Sequence, residues 1–329
     1  MGFSQHKLTT TYTQELAAYI AALRYEDIPE PVLLRAKAIV IHTLGNALAA
    51  RDLPQSRTIY ALAEQCGGGQ EGDAVSWADG SPLSLENACL LNTFLADLPV
   101  APEDCSCTGH PAAGILSVAW GVAHSMGLSG KELLAAMVAG YEVYLRVAAA
   151  VRPTPEDVAR RGKGMTSWQL FAAAVPALKL MGLQPLQINK GLSMVTTCVP
   201  IPASFHLTCG SDVFHAEHAL RSQTAITLAR CAKLGVENLE DGLDDFNAFG
   251  TLMTSAHDPA QYTRELGTRY LLAELPFAPG CGPCDELALS CQRFQSVALP
   301  ALEQGEALLG ILNMLECCEN ISALGQLFR

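Results

Sequence analysis

Groups suited to proton transfer gather in the breaker-rich parts of the chain. His110 stands in Thr108-Gly109-His110-Pro111, just ahead of a helical pattern through Ile115, Val118 and Ala119. A histidine at such a junction can serve as acid or base, because its unperturbed pKa is ~6.5. It can equally do no more than cap the turn. Asp97, Glu103 and Asp104 precede it on the same stretch, placed to orient its ring, share its proton or simply face solvent. Lys163, in Arg160-Arg161-Gly162-Lys163-Gly164, sits between glycines that let backbone N–H groups approach an anion, or it belongs to a solvated basic loop. The remaining spacing of a nucleotide-binding loop is missing, so no nucleotide is expected. Asp212, His215 and His218 open a further helical segment, and residues three apart share a helix face, so His215 and His218 can approach one ligand.

Two cysteine groupings, Cys281-x-x-Cys284 and Cys105-x-Cys107-x-x-His110, have the local spacing of metal ligands. Neither completes a four-ligand set, so no metal is expected. No Gly-x-Ser-x-Gly elbow and no dinucleotide fingerprint occurs, and no organic cofactor is expected either.

The elements that must position these groups are helical. Of the 329 residues, 50% are hydrophobic and 16% charged. Apolar residues recur at helical spacing in Leu16, Tyr19, Ile20 and Leu23, and again in Val32, Leu33, Ala36, Ile39 and Val40. Pro31 fits a first helical turn, where its missing N–H has no partner to lose. Ser129 with Glu132 reads as a capping box opening a long buried helix to about Val151. Phe171 to Lys179 and Ala216 to Leu234 extend the pattern. Breakers predict loops at Gly67–Asp73, Pro99–Pro111, Arg152–Thr166, Val199–Asp212 and Pro276–Pro283. Arg269 to Phe277 suits a short strand, with a helix from Asp285 after it.

The formal charge of −12 argues against nucleic acid and against an anionic membrane surface as partners. Apolar runs such as Leu133–Val143 are broken by Gly140 and Glu142, short of the ~20 residues of a membrane span. With no secretory pattern at the amino terminus, a cytoplasmic location is expected, its twelve cysteines mostly reduced.

The order of segments resembles the MmgE/PrpD family, which includes 2-methylcitrate dehydratase, cis-aconitate decarboxylase and iminodisuccinate epimerase. Four stretches carry the likeness: Ile28-Pro29 through Arg35-Ala36-Lys37 to Thr43-Leu44-Gly45; Gly109-His110-Pro111 through Leu128-Ser129-Gly130 to Gly140-Tyr141-Glu142; Ala172 through Lys179-Leu180-Met181-Gly182-Leu183; and His215-Ala216 through Ala219. The resemblance implies an all-α fold: a large helical domain over residues 1–268, with residues 269–329 as a remnant of the family's α/β lid and C-terminal helices. It also implies a homodimer.

For the site, the resemblance matches His110 to the family's loop histidine and His215 to a second family histidine. Lys163 stands where the family has another histidine, Asp212 where it has a lysine, and Ala278 where it has a further lysine. The implied proton-transfer set is His110, Lys163 and Asp104, with Asp97, Glu103, Thr166, Asp212 and His215 on the substrate side. Exchanging a lysine for Asp212 repels a tricarboxylate. The expectation is therefore a lyase or isomerase working next to a carbonyl or carboxylate on a small molecule less charged than citrate. A repurposed cyclase acting on a largely neutral metabolite and a non-catalytic homologue are the competing readings.

Overall fold

The computed structural model describes residues 10–66, 72–98, 109–161, 168–199, 212–245, 249–275 and 282–329. Helices dominate: α1 (Tyr12–Ala22), α2 (Glu30–Ala50), α3 (Ser56–Gln65), α4 (Leu85–Asp97), α5 (Ala112–Met126), α6 (Gly130–Ala150), α7 (Pro155–Arg161), α8 (Gln169–Leu180), α9 (Pro185–Cys198), α10 (Asp212–Leu234), α11 (Phe249–Met253), α12 (Pro283–Ala298) and α13 (Gly305–Asn313). Among the described residues the sheet content is one antiparallel ribbon, β1 (Ala74–Val75) with β2 (Pro82–Leu83), in which Ala74 faces Leu83.

Local chemistry sets the helix ends. At α6 the Ser129 hydroxyl accepts from Glu132 N–H at 3.3 Å while the Glu132 carboxylate accepts from Ser129 N–H at 2.8 Å, the expected capping box. Pro31 lies in the first turn of α2, also as expected. Helix α5 stops at Gly127, whose φ of 64° lies in the left-handed region that glycine enters without a Cβ clash.

Helix α6 is buried on every face from Leu133 to Val147, which makes it a central strut. By length and composition alone α2 and α6 are long and apolar enough to cross a membrane. Their apolar windows are 83% and 94% buried inside the protein, as in core helices. Helices α5, α8 and α10 pack closely around this centre. A Cβ added at Gly114 of α5 would meet the Ser222 hydroxyl at 3.4 Å and the Ala173 methyl at 3.7 Å, so a small residue there lets the three helices meet.

Residues 282–329 join the same core. Phe294, Leu308 and Phe328 are buried in it, and Trp120 stands edge-on to both Trp77 and Phe328. Helix α12 lies along α2, where Arg35 makes a two-pronged contact with Glu286, Nε and Nη2 each donating at 2.8 Å. Both side chains are nearly out of contact with solvent, so the bidentate geometry must offset a large desolvation cost.

Two expectations are corrected. The stretch suited to a strand after Arg269 contains a 3₁₀ turn, Leu271–Glu274, because the buried Glu142 carboxylate draws the N–H groups of Leu271 and Leu272 to it at 3.1 and 2.9 Å. Part of the loop expected over Arg152–Thr166 is helix α7. Thr154 and Asp157 cap it reciprocally, each side chain accepting from the other's N–H at 3.1 Å.

Glu286→Ala would strand the Arg35 guanidinium and is expected to cost about 3–5 kcal/mol, seen as a lower urea midpoint. Pairing Arg35→Met with Glu286→Leu should recover most of that loss.

Candidate active site

Four elements end at one place in the bundle. Asp97 is the last residue of α4, His110 directly precedes Pro111 and α5, Gln169 opens α8, and His215 and His218 lie in the first two turns of α10. The Thr93 hydroxyl donates to the Ser222 hydroxyl at 2.8 Å, one turn further along both α4 and α10, and so sets how these two helices present Asp97 to the histidines.

The Asp97 carboxylate is 1% exposed and is shared by two rings. Nδ1 of His215 stands 2.6 Å from Oδ2, and Nδ1 of His218 stands 3.0 Å from the same oxygen but off the line of a good hydrogen bond. Burial by itself would raise the Asp97 carboxyl. The charge that His218 carries at the low pH where this carboxyl titrates, with the hydrogen bond from His215, outweighs it and holds the group well below the ordinary carboxylate range. An ionised Asp97 can only accept, so Nδ1 of His215 must carry the proton. Nε2 of His215 is then the basic nitrogen, on a ring that remains 23% exposed.

His218 differs because it is buried. Desolvation lowers its pKa against the pull of Asp97, with the charge of Arg221 and the nearness of His110 adding to the effect, so the ring is neutral near pH 7. Phe214 packs among all three rings, with centroids 4.4 Å from His218, 5.4 Å from His215 and 6.3 Å from His110.

His110, Gln169, His218 and Arg221 line one cleft, floored by Ala172 and Ala173, whose open volume of ≈ 10 Å³ is room for about one water. Arg221 donates to Gln169 Oε1 at 3.0 Å and to Glu217 at 3.4 Å. Among the described residues the buried Gln169 Nε2 and His218 Nε2 have no hydrogen-bond partner. Two unmet polar groups on residues that line one small cleft call for a polar occupant, since burying them unpaired costs about 1–3 kcal/mol each.

Of the residues singled out from the sequence, the fold brings His110, His215 and Asp97 to this place, with Asp97 turned to the histidines. Asp212 is exposed at the first turn of α10, an acid where the helix dipole favours one. Glu103, Asp104, Lys163 and Thr166, with Ala278 and the cysteines Cys105, Cys107 and Cys281, lie outside the described residues. No group of three or more His, Cys, Asp or Glu suited to a metal ion occurs among the described residues. Sequence reasoning missed Gln169, Arg221 and Phe214. The available signal was the stripe His215, His218, Arg221, Ser222, whose spacing follows one face of a helix.

The sequence of the MmgE/PrpD N-terminal domain matches residues 14–261. The chain belongs to the MmgE/PrpD family. Family members include dehydratases and decarboxylases. A cis-aconitate decarboxylase-like protein, oryM of Aspergillus oryzae, is 25% identical over 276 residues, covering 78% of this chain and 56% of that protein. The chain thus spans about half the length of this MmgE/PrpD relative.

Because the folded Asp97 carboxyl is depressed, its contribution to stability is complete above the unfolded value of ~3.9 and fades as pH falls through the folded one. Asp97→Asn should therefore lower stability at pH 7 by about 1–3 kcal/mol, with the deficit narrowing toward pH 2. Urea unfolding at both pH values checks this, and a deficit that widened in acid would contradict it.

Proposed function

We propose that this protein is a lyase or isomerase that moves a proton next to a carbonyl or carboxylate on a small metabolite less charged than citrate. The observation that carries the reading is the 2.6 Å contact from His215 Nδ1 to the buried Asp97 carboxylate, which orients the ring and makes Nε2 a base. His110, across Phe214, is the matching acid or the donor that polarises the carbonyl, and Lys163 and Asp104 complete the proton-transfer set. The Arg221 guanidinium supplies positive charge at the cleft, tempered by Glu217 at 3.4 Å. One tempered cation with Asp212 at the entrance to α10 suits a mono- or dicarboxylate better than a trianion. Thr166 and Glu103 belong to the substrate side of this reading, and a homodimer in the cytoplasm, engaging neither nucleic acid nor membrane, is part of it.

The likeness to a decarboxylase-like protein supports lyase chemistry, and the neutral, buried His218 supports a site tuned for proton transfer near neutral pH. The experiment follows C–H signals of a panel of small keto acids and mono- and dicarboxylates by proton NMR in deuterated water. A substrate is expected to lose its signal beside the carbonyl, or to convert, in the presence of the protein. His110→Gln keeps a hydrogen-bonding side chain but cannot titrate near neutral pH, and should slow that reaction ~10²–10⁴-fold with Tm unchanged. Retained activity in His110→Gln together with loss in His110→Ala would leave hydrogen bonding as its role. If neither substitution alters turnover, the acid–base assignment of His110 is wrong.

A further inference from the structure

A second concave region lies away from the histidine cleft, where the end of α1 meets the start of α6 and the end of α8. Its volume is ≈ 410 Å³, and its lining includes Leu23, Arg24, Leu128, Lys131, Lys179 and Leu180. Two acidic side chains also face it, and both are committed: Glu26 pairs with Lys131 at 2.9 Å, and Glu132 closes the Ser129 capping box. Arg24 brings a further cationic side chain to the groove, over an apolar floor that includes Leu23, Leu128 and Leu180.

Lys179 is held in an unusual way for a lysine. Its Nζ donates to the backbone carbonyls of Ile20 and Leu23, each at 2.7 Å, at the C-terminal end of α1. No carboxylate of the described residues lies within ion-pair distance of it. A neutral amine can donate both of these N–H bonds, and it keeps its lone pair on the remaining tetrahedral position. Burial, opposed only by the distant charge of Asp27, lowers its pKa to about 8.

We propose that Lys179 is a modification site, an amine that is acylated by small acyl phosphates bound in this groove. The apolar floor receives the acyl group, and Arg24 faces the phosphate. The Nζ lone pair attacks the acyl carbon and the C–O bond to phosphate breaks. One N–H proton passes to the departing phosphate, leaving an amide and hydrogen phosphate with no change in oxidation state. The amide retains one N–H for the carbonyls of α1 and gives up the other, so acylation loosens the tie between α8 and the end of α1.

Acetyl phosphate is the probe. At pH 7.5 the native protein is exposed to it, and acetylation at each lysine is followed over time by peptide mass spectrometry. Lys179 is expected to react about tenfold or more faster than Lys190 and Lys233, which lie outside this groove. Excess inorganic phosphate and Arg24→Ala should each slow Lys179 severalfold and leave Lys190 unchanged. A rate at Lys179 no greater than at Lys190 and Lys233 overturns the proposal. Fast reaction that neither phosphate nor Arg24→Ala slows also overturns it, by showing a reactive lysine without an acyl phosphate site.

Discussion

A carboxylate buried at the end of α4 is the constraint around which this site is built. Placing Asp97 out of water is expensive unless charge or hydrogen bonds meet it, and two histidine rings from consecutive turns of α10 do so. That requirement fixes the approach of α4 to α10, and the hydroxyl contact between Thr93 and Ser222 keeps the same spacing one turn deeper. It also decides the chemistry of the two rings. His215 is oriented and leaves a basic nitrogen partly open to the outside, whereas His218 is buried and held neutral. Small residues at Gly114, Ala172 and Ala173 then let α5 and α8 close over the same point, so a polar cleft sits at the end of an otherwise apolar bundle.

Membership of the MmgE/PrpD family and the all-helical body agree with one another. Asp212 stands where the resemblance places a lysine, and the guanidinium at the cleft, Arg221, is bound to Gln169 and Glu217. The proposed proton transfer by oriented histidines is compatible with such residues. Strong holding of a trianion is not, because its binding energy would come from cations and Asp212 is an acid.

Much of the scaffold was legible in the sequence because its signals are local. The Ser129–Glu132 capping box, Pro31 in a first turn and the apolar periodicity of α6 each depend on residues within a turn or two of one another. Local reasoning failed where a distant group decides the backbone. Nothing near Leu271 announces that Glu142, on α6, will draw two N–H groups to itself and replace a strand with a 3₁₀ turn. The site divides the same way: His110 is marked by its place between a breaker-rich stretch and a helix, and His215 with His218 by their spacing. That Asp97 should serve those rings, and that Gln169 should meet Arg221, depends on helices far apart in the chain packing at one end.

The most direct test is the protonation state of His215. Nitrogen-15 NMR of the protein labelled at histidine, with His215→Gln used to assign its signals, reports which ring nitrogen carries the proton. Above neutral pH the account predicts His215 protonated at Nδ1 with a free Nε2, and a shift toward the opposite tautomer in Asp97→Asn. A His215 ring protonated at Nε2, or a tautomer indifferent to the charge at Asp97, would contradict it.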